Sequence, residues 1–211
     1  MLKIYFVRHG QTSLSRDNMF CGSSNPELTP EGRQMAEALA AYYGNMKWQG
    51  VYASPMKRTV QTATPLARHT GMRILREKGL REIDYGKWEM HEIDDVHRRW
   101  NEDHIKWLAD PGWNAPTGGE TANQVATRAM AVVDNIRKRH KDGNVLIISH
   151  KATIRIILCS LLGIDIGRFR YRLNAPVSSV SIVEFGSHGP MLKVMGDTTH
   201  LPEHLRKLPG T

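Results

Sequence analysis

LKIYFVRHGQT, residues 2–12, is the stretch whose reading decides the fold. Leu2 to Val7 is a short apolar run rich in β-branched and aromatic residues, the composition of a buried strand. It stops at Arg8-His9-Gly10, where a cation, an ionisable imidazole and a flexible residue follow one another. The theme recurs. Asn144 to Ile148 (NVLII) is a second strand-like run and ends at Ser149-His150. Val51-Tyr52-Ala53 ends at Ser54-Pro55, and Arg58 follows in the first turn of the next helical segment. In an open α/β sheet, ligands bind beyond the carboxyl ends of the strands. Three such strand ends bring two histidines and two arginines to one edge of one sheet.

That grouping has a chemical meaning. Guanidiniums offer forked donors matched to phosphate oxygens. A neutral imidazole beside them can attack phosphorus and form a phosphohistidine. A second imidazole can donate to the non-bridging oxygens and stabilise charge during transfer. A lone histidine at a strand end would read as a hydrogen-bonded structural residue; three strand ends repeating the theme read as a site.

Further stretches complete a pattern: SPMKRTVQTA around Arg58, LREIDYG around Glu82, GGET at 118–121 and Ser149-His150. With Arg8-His9-Gly10 they resemble the histidine phosphatase superfamily, the phosphoglycerate-mutase-like family, over Lys3 to about Leu201. The resemblance implies one α/β domain over residues 1–211, with a mainly parallel sheet flanked by helices on both faces. It implies His9 as the phosphorylated nucleophile, Arg8, Arg58 and His150 as the phosphate pocket, and Glu82 as the acid that protonates the leaving group. Such an acid needs a raised pKa, for which partial burial is the usual means; Asp84 is the runner-up. Tyr85 matches a family tyrosine near the substrate. The loop CGSSNPELT resembles the family's substrate-side loop, in which Cys21, Gly22 and Ser23 line the pocket through backbone N–H groups or Gly22 merely serves a turn. Lys151, next to His150, either reaches a substrate carboxylate or lies in solvent.

Composition bounds the reading. The 211 residues suffice for one sizeable domain, and 40% hydrophobic with 24% charged residues is ordinary for a soluble protein. The net charge of +8 suits anionic substrates, but the basic residues are scattered and no long Lys/Arg run marks a nucleic-acid surface. Two cysteines, Cys21 and Cys159, make neither a zinc framework nor a disulfide scaffold. They fit a reducing, cytoplasmic setting. No secretory signal is recognisable, and the longest apolar stretch, Ile154 to Ile166, is broken by Arg155, Ser160 and Asp165 and is too short to span a bilayer. The histidines and acids of residues 88–113 show no metal-ligand spacing, so no metal and no cofactor is expected.

The remaining elements follow from spacing and punctuation. Ser13 to Glu27 reads as a loop. Thr29 caps a helix with Pro30 in its first turn; Met35, Ala36, Leu39, Ala40 and Tyr43 form its core stripe and Gly44 ends it. Ser54 and Pro55 are expected to open the Arg58 helix, and Pro65 to kink or end it. Arg73 to Leu75 suggests a short strand. Trp88 to Trp113 reads as helical and polar, with Trp100 and Trp107 in the core. Val125, Ala129, Val132, Val133 and Ile136 make the buried face of a helix opened by Glu120-Thr121. Ser178 to Phe185 alternates as a strand does, with Met191 to Met195 as its partner. Residues 202–211 are expected to be a lid or a frayed tail.

Phosphatase and mutase divide on two features. Classical mutases of the resembled family carry a longer segment between the Glu and second-His motifs. They also continue RHG as RHGESxWN, whereas here RHGQTSLS puts Ser15 where an asparagine helps hold phosphate. Both departures favour a phosphatase. SHKATIRIILCSLLGID and NAPVSSVSIVEF look most like the metal-independent phosphoserine phosphatases, which implies L-phosphoserine as the small phosphorylated metabolite and a homodimer as the assembly. Phosphoglycerate mutase remains the alternative, with sugar phosphates, α-ribazole phosphate and fructose 2,6-bisphosphate as other substrates.

Overall fold

The strands alternate apolar side chains to both sides, and this dictates the layering. In the computed structural model, which describes residues 1–210, β1 (Leu2–Arg8) is buried almost throughout. Its period of two sends Ile4 and Phe6 into one core and Tyr5 and Val7 into another. β4 (Gly143–Ser149) does the same with Val145 and Ile147 against Leu146 and Ile148. One sheet therefore separates two cores. The first is closed by α6 (Ala122–Arg139) and α7 (Lys151–Leu162), the second by α2 (Pro30–Tyr43) and α3 (Lys57–Thr70). Truncating a fully buried side chain such as Phe6 to alanine would cost about 3–5 kcal/mol.

The sheet order is β3-β2-β4-β1-β5-β6, with β2 at Trp48–Ala53, β3 at Ile74–Arg76, β5 at Val180–Gly186 and β6 at Gly189–Asp197. β1, β2, β3 and β4 run parallel; β5 is added antiparallel beside β1, and β6 antiparallel beside β5 at the edge. Arg8 pairs with Ser149 across β1 and β4, and Ala53 with Ile148 across β2 and β4. This register brings His9, His150 and Ser54 level at one sheet edge. The expected α/β domain with a mainly parallel sheet and helices on both faces is the observed one.

Several local expectations need correction. Ser13 to Glu27 is not all loop: α1 (Ser13–Arg16) opens it, because Thr12 and Ser15 form a reciprocal capping box. Ser54 does not cap α3, which starts at Lys57; its first N–H is taken by Asn25 Oδ1 at 2.8 Å, while Ser54 turns to His150. Pro65 does not end α3, which runs on to Thr70 and stops at Gly71. The helical run after Trp88 is two short helices, α4 (Ile93–Arg99) and α5 (Asn101–Ala109), broken at Trp100. Trp107 is core as expected, while Trp100 is half-buried.

After α8 (Phe169–Arg172) and the β5–β6 hairpin, the tail is neither frayed nor an open lid through residue 210. It forms α9 (Glu203–Arg206), buries Leu205 against Met35, Val177 and Leu201, and Gln11 Nε2 donates to the Pro209 carbonyl at 2.7 Å. No helix among the described residues is long and apolar enough to cross a membrane.

Candidate active site

His9 leaves the end of β1 with its backbone tied on both sides. Its N–H donates to the Ser149 carbonyl, and its own carbonyl accepts from Ser178 N–H. The ring is fixed by Nδ1, which lies 2.8 Å from the Gly10 carbonyl. A carbonyl only accepts, so Nδ1 carries the proton and Nε2 keeps its lone pair. Burial first, then the Arg58 and Arg8 charges, hold His9 well below the ordinary histidine pKa, so the ring is neutral.

His150 packs against it, with ring centroids 5.2 Å apart. Arg58 Nε donates to His150 Nδ1 at 3.1 Å, which leaves Nε2–H to donate to Ser54 Oγ at 2.9 Å. His150 too is held well below its ordinary pKa, by burial and then Arg58. Both His150 and Arg58 are fully buried. Arg58 also donates to the Ser24 carbonyl (2.7 Å) and the Gly22 carbonyl (3.0 Å), so three of its five N–H donors are engaged. Arg8 donates to the Ala175 carbonyl at 2.8 Å, while its Nε is buried without a partner.

Glu82 approaches from the segment after β3. It is only 8% exposed. Its Oε1 accepts from Ile83 N–H and Thr153 N–H, both at 3.0 Å, and its Oε2 from Ala152 N–H at 3.1 Å, while the Thr153 hydroxyl, 3.0 Å from Oε1, donates to the Arg81 carbonyl at 2.7 Å. The start of α7 thus supplies two of the N–H groups that a helix leaves unsatisfied. The Glu82 segment is itself pinned by Arg128 on α6. Arg128 donates to the carbonyls of Gly79, Arg81 and Glu82 and makes a forked pair with Glu120, whose carboxylate also accepts from Asp84 N–H. Glu120 has the structural part expected of GGET. Arg128 gives no signal in the sequence, where it reads as one more basic residue on an amphipathic helix.

Arg8, His9, Ser15, Cys21, Glu82, Tyr85 and Lys151 line one cavity of about 490 Å³. Lys151 is half-buried and lines it; burial, then the charges of Arg8 and Arg155, push it down to about 8. Burial pushes the Cys21 thiol up to about 11. Ser15 spends its hydroxyl on the Thr12 backbone. Asp84 is outside the cavity and accepts from Gly86 N–H instead.

The loop at 21–24 departs from expectation. The N–H groups of Gly22, Ser23 and Ser24 do not face the cavity; all three donate to the Glu89 carboxylate. Gly22 is required by close approach, since a Cβ there would collide with the Ile83 carbonyl. The loop acts through its carbonyls, which hold Arg58. Neither Glu89 nor Ser54 announced this role, because each is defined only by where distant segments meet.

Known proteins resemble this chain over most of its length. The family model described as "Histidine phosphatase superfamily (branch 1)" matches residues 4–198. Phosphoserine phosphatase 1 of Hydrogenobacter thermophilus is 28% identical over 96% of both chains. A probable phosphoglycerate mutase of an Enterobacter species is 27% identical over 95% of both. Among solved structures, Bacillus stearothermophilus YhfR superposes with a TM-score of 0.88 at 25% identity, covering 95% of this chain and 99% of that one.

Proposed function

The chain belongs to the histidine phosphatase superfamily, and from that premise we propose that it hydrolyses a small phosphomonoester, L-phosphoserine first, through a phosphohistidine on His9. One observation carries the reading: the Nδ1–Gly10 bond leaves His9 Nε2 as an unprotonated nucleophile at the cavity.

In this mechanism Arg8, which lines the cavity beside His9, attracts and orients the phosphoryl group, while Arg58 and His150, fully buried and outside the cavity lining, support the pocket from within rather than clamp the phosphoryl group as the resemblance implied. His9 Nε2 attacks phosphorus in line as the P–O ester bond breaks. Glu82 gives its proton to the departing alkoxide. The bound monoanionic ester supplies the proton that Glu82 passes on. Water then attacks the phosphohistidine, Glu82 takes the water's proton, and phosphate leaves with His9 neutral again. Fixed cations stabilise the transferring group, so the proposal requires no metal.

Support for phosphoserine comes from the Hydrogenobacter relative and from Lys151 as a cation for the substrate carboxylate. The test is phosphate release from L-phosphoserine in EDTA beside 3-phosphoglycerate isomerisation in the same buffer, for wild type and His9→Ala. Release that survives EDTA, a labelled phosphohistidine, and a loss of at least about 10³-fold in His9→Ala are expected. Isomerisation without release would make the protein a mutase, the activity named for the Enterobacter relative. The proposal also carries a homodimer, which a light-scattering mass of one chain would refute.

A further inference from the structure

Two arginines in the same cavity are not used by the mechanism above. Arg155 on α7 is 8% exposed, and Arg170 on α8 is half-buried. Their surroundings are aromatic. The Arg170 guanidinium lies 4.0 Å from the Trp107 ring centroid, and that of Arg155 lies 5.4 Å from the Phe169 centroid. Among the described residues neither pairs with an Asp or Glu. Arg155 donates from Nη2 to the Arg170 carbonyl, yet its Nε is buried with no partner, as is Nη1 of Arg170. Burial and mutual repulsion depress the pKa of Arg155. Unpaired buried charge is costly, and a bound anion would offset that cost.

The balance of charge in the cavity points the same way. Beyond the phosphoryl pocket its wall carries Lys151, Arg155, Arg170 and Arg172, against the single carboxylate of Glu82. A substrate ammonium finds one carboxylate there, that of Glu82, whereas an anion finds several forked donors. At about 490 Å³ the cavity also has room for more than a phosphoryl group.

We propose that Arg155 and Arg170 form a second anion subsite, so that the preferred substrates are phosphomonoesters bearing a further anionic group, a carboxylate or a second phosphate. This rests on the phosphatase reading but does not depend on phosphoserine, whose carboxylate would use the subsite while its ammonium would not.

The test compares kcat/KM for phosphate release from 3-phosphoglycerate, L-phosphoserine, O-phosphoethanolamine, propane-1,3-diol bisphosphate and p-nitrophenyl phosphate. 3-Phosphoglycerate or the bisphosphate should exceed O-phosphoethanolamine by at least about tenfold, and which of the two leads identifies the second anion as carboxylate or phosphate. Arg155→Met should lower the ratio of that anionic ester to p-nitrophenyl phosphate at least about tenfold, with partial recovery in Arg155→Lys. Arg170→Gln serves if Arg155→Met fails to fold. An unchanged ratio in the folded variants, or O-phosphoethanolamine turned over as well as 3-phosphoglycerate, overturns the subsite. If no ester is hydrolysed, the phosphatase reading falls by itself. Calorimetric binding of 3-phosphoglycerate against O-phosphoethanolamine then decides the subsite, equal affinity refuting it.

Discussion

Replacing Arg128 with methionine keeps the aliphatic bulk of the side chain and removes a guanidinium whose five N–H groups are all in use. Two donate to Glu120 (2.9 and 2.8 Å) and three to the carbonyls of Gly79, Arg81 and Glu82 (2.7, 2.7 and 2.9 Å). Water can re-satisfy the carbonyls of half-buried Gly79 and exposed Arg81. The carbonyl of buried Glu82 cannot be reached so readily, and leaving it unpaired costs about 1–3 kcal/mol. The Glu120 carboxylate, 26% exposed, also loses its charge partner. Together these give a loss of about 2–4 kcal/mol, well below the gross sum of five bonds because solvent replaces most of them. The kinetic effect should be larger in proportion. Arg128 clamps the segment that aims Glu82, and a displacement of about 1 Å in a reacting group costs on the order of 10²-fold. Arg128→Lys restores a charge near Glu120 without the fork and should recover stability more than kcat. Urea unfolding gives the first quantity and steady-state kcat the second. A variant destabilised by the stated amount but with kcat within twofold of wild type would refute the positioning argument.

Lys151, pushed down to about 8, titrates in an accessible range. Folding lowers its proton affinity, so between about 8 and the ordinary lysine value of 10.5 the unfolded chain binds more protons and the Lys151 contribution to stability rises with pH. For catalysis the sign is opposite: kcat/KM on a carboxylated ester should fall as pH rises through about 8, and an inflexion that persists in Lys151→Met would refute the assignment. Gly22→Ala should lose about 1–3 kcal/mol and much of kcat, because the added methyl collides with the Ile83 carbonyl in the turn that holds Arg58; unchanged urea midpoints would contradict this. Ser54→Ala should strand the buried Nε2–H of His150 at a cost of about 1–3 kcal/mol, and equal thermal and urea midpoints for variant and wild type would show that the bond is unimportant.

What could be read in the chain was whatever is local. Strand ends announce themselves because an apolar run stops at a charged residue, and parallel register then aligns His9, His150 and Ser54 without further information. The stripes of α2 and α6 follow from helical period alone, and every residue named for them is buried. The supports of the site were not legible. Glu89, Arg128 and Glu120 look like ordinary half-exposed charges, and their role exists only where residues 22–24, 79–84 and α6 converge. Arg155 did leave a trace, as a cation interrupting the apolar stretch from Ile154 to Ile166. In a buried helix such an interruption marks a charge that the surrounding structure has a use for. The corrections at Ser54 and at the amides of residues 22–24 share one cause: a distant side chain outcompeted the local hydrogen bond.

The central position of β1 has a consequence for biosynthesis. Its neighbours in the sheet are β4, which begins at Gly143, and β5, which begins at Val180. On the ribosome β1 emerges before both and must therefore wait for partners made more than a hundred residues later. At typical elongation speeds that wait is roughly 7–30 s, during which Ile4, Tyr5, Phe6 and Val7 have no sheet to enter. Nascent-chain capture by chaperones should be strongest over this interval and should cease once β4 and β5 have left the exit tunnel. A circular permutant that opens with β4 would shorten the wait and fold with less assistance.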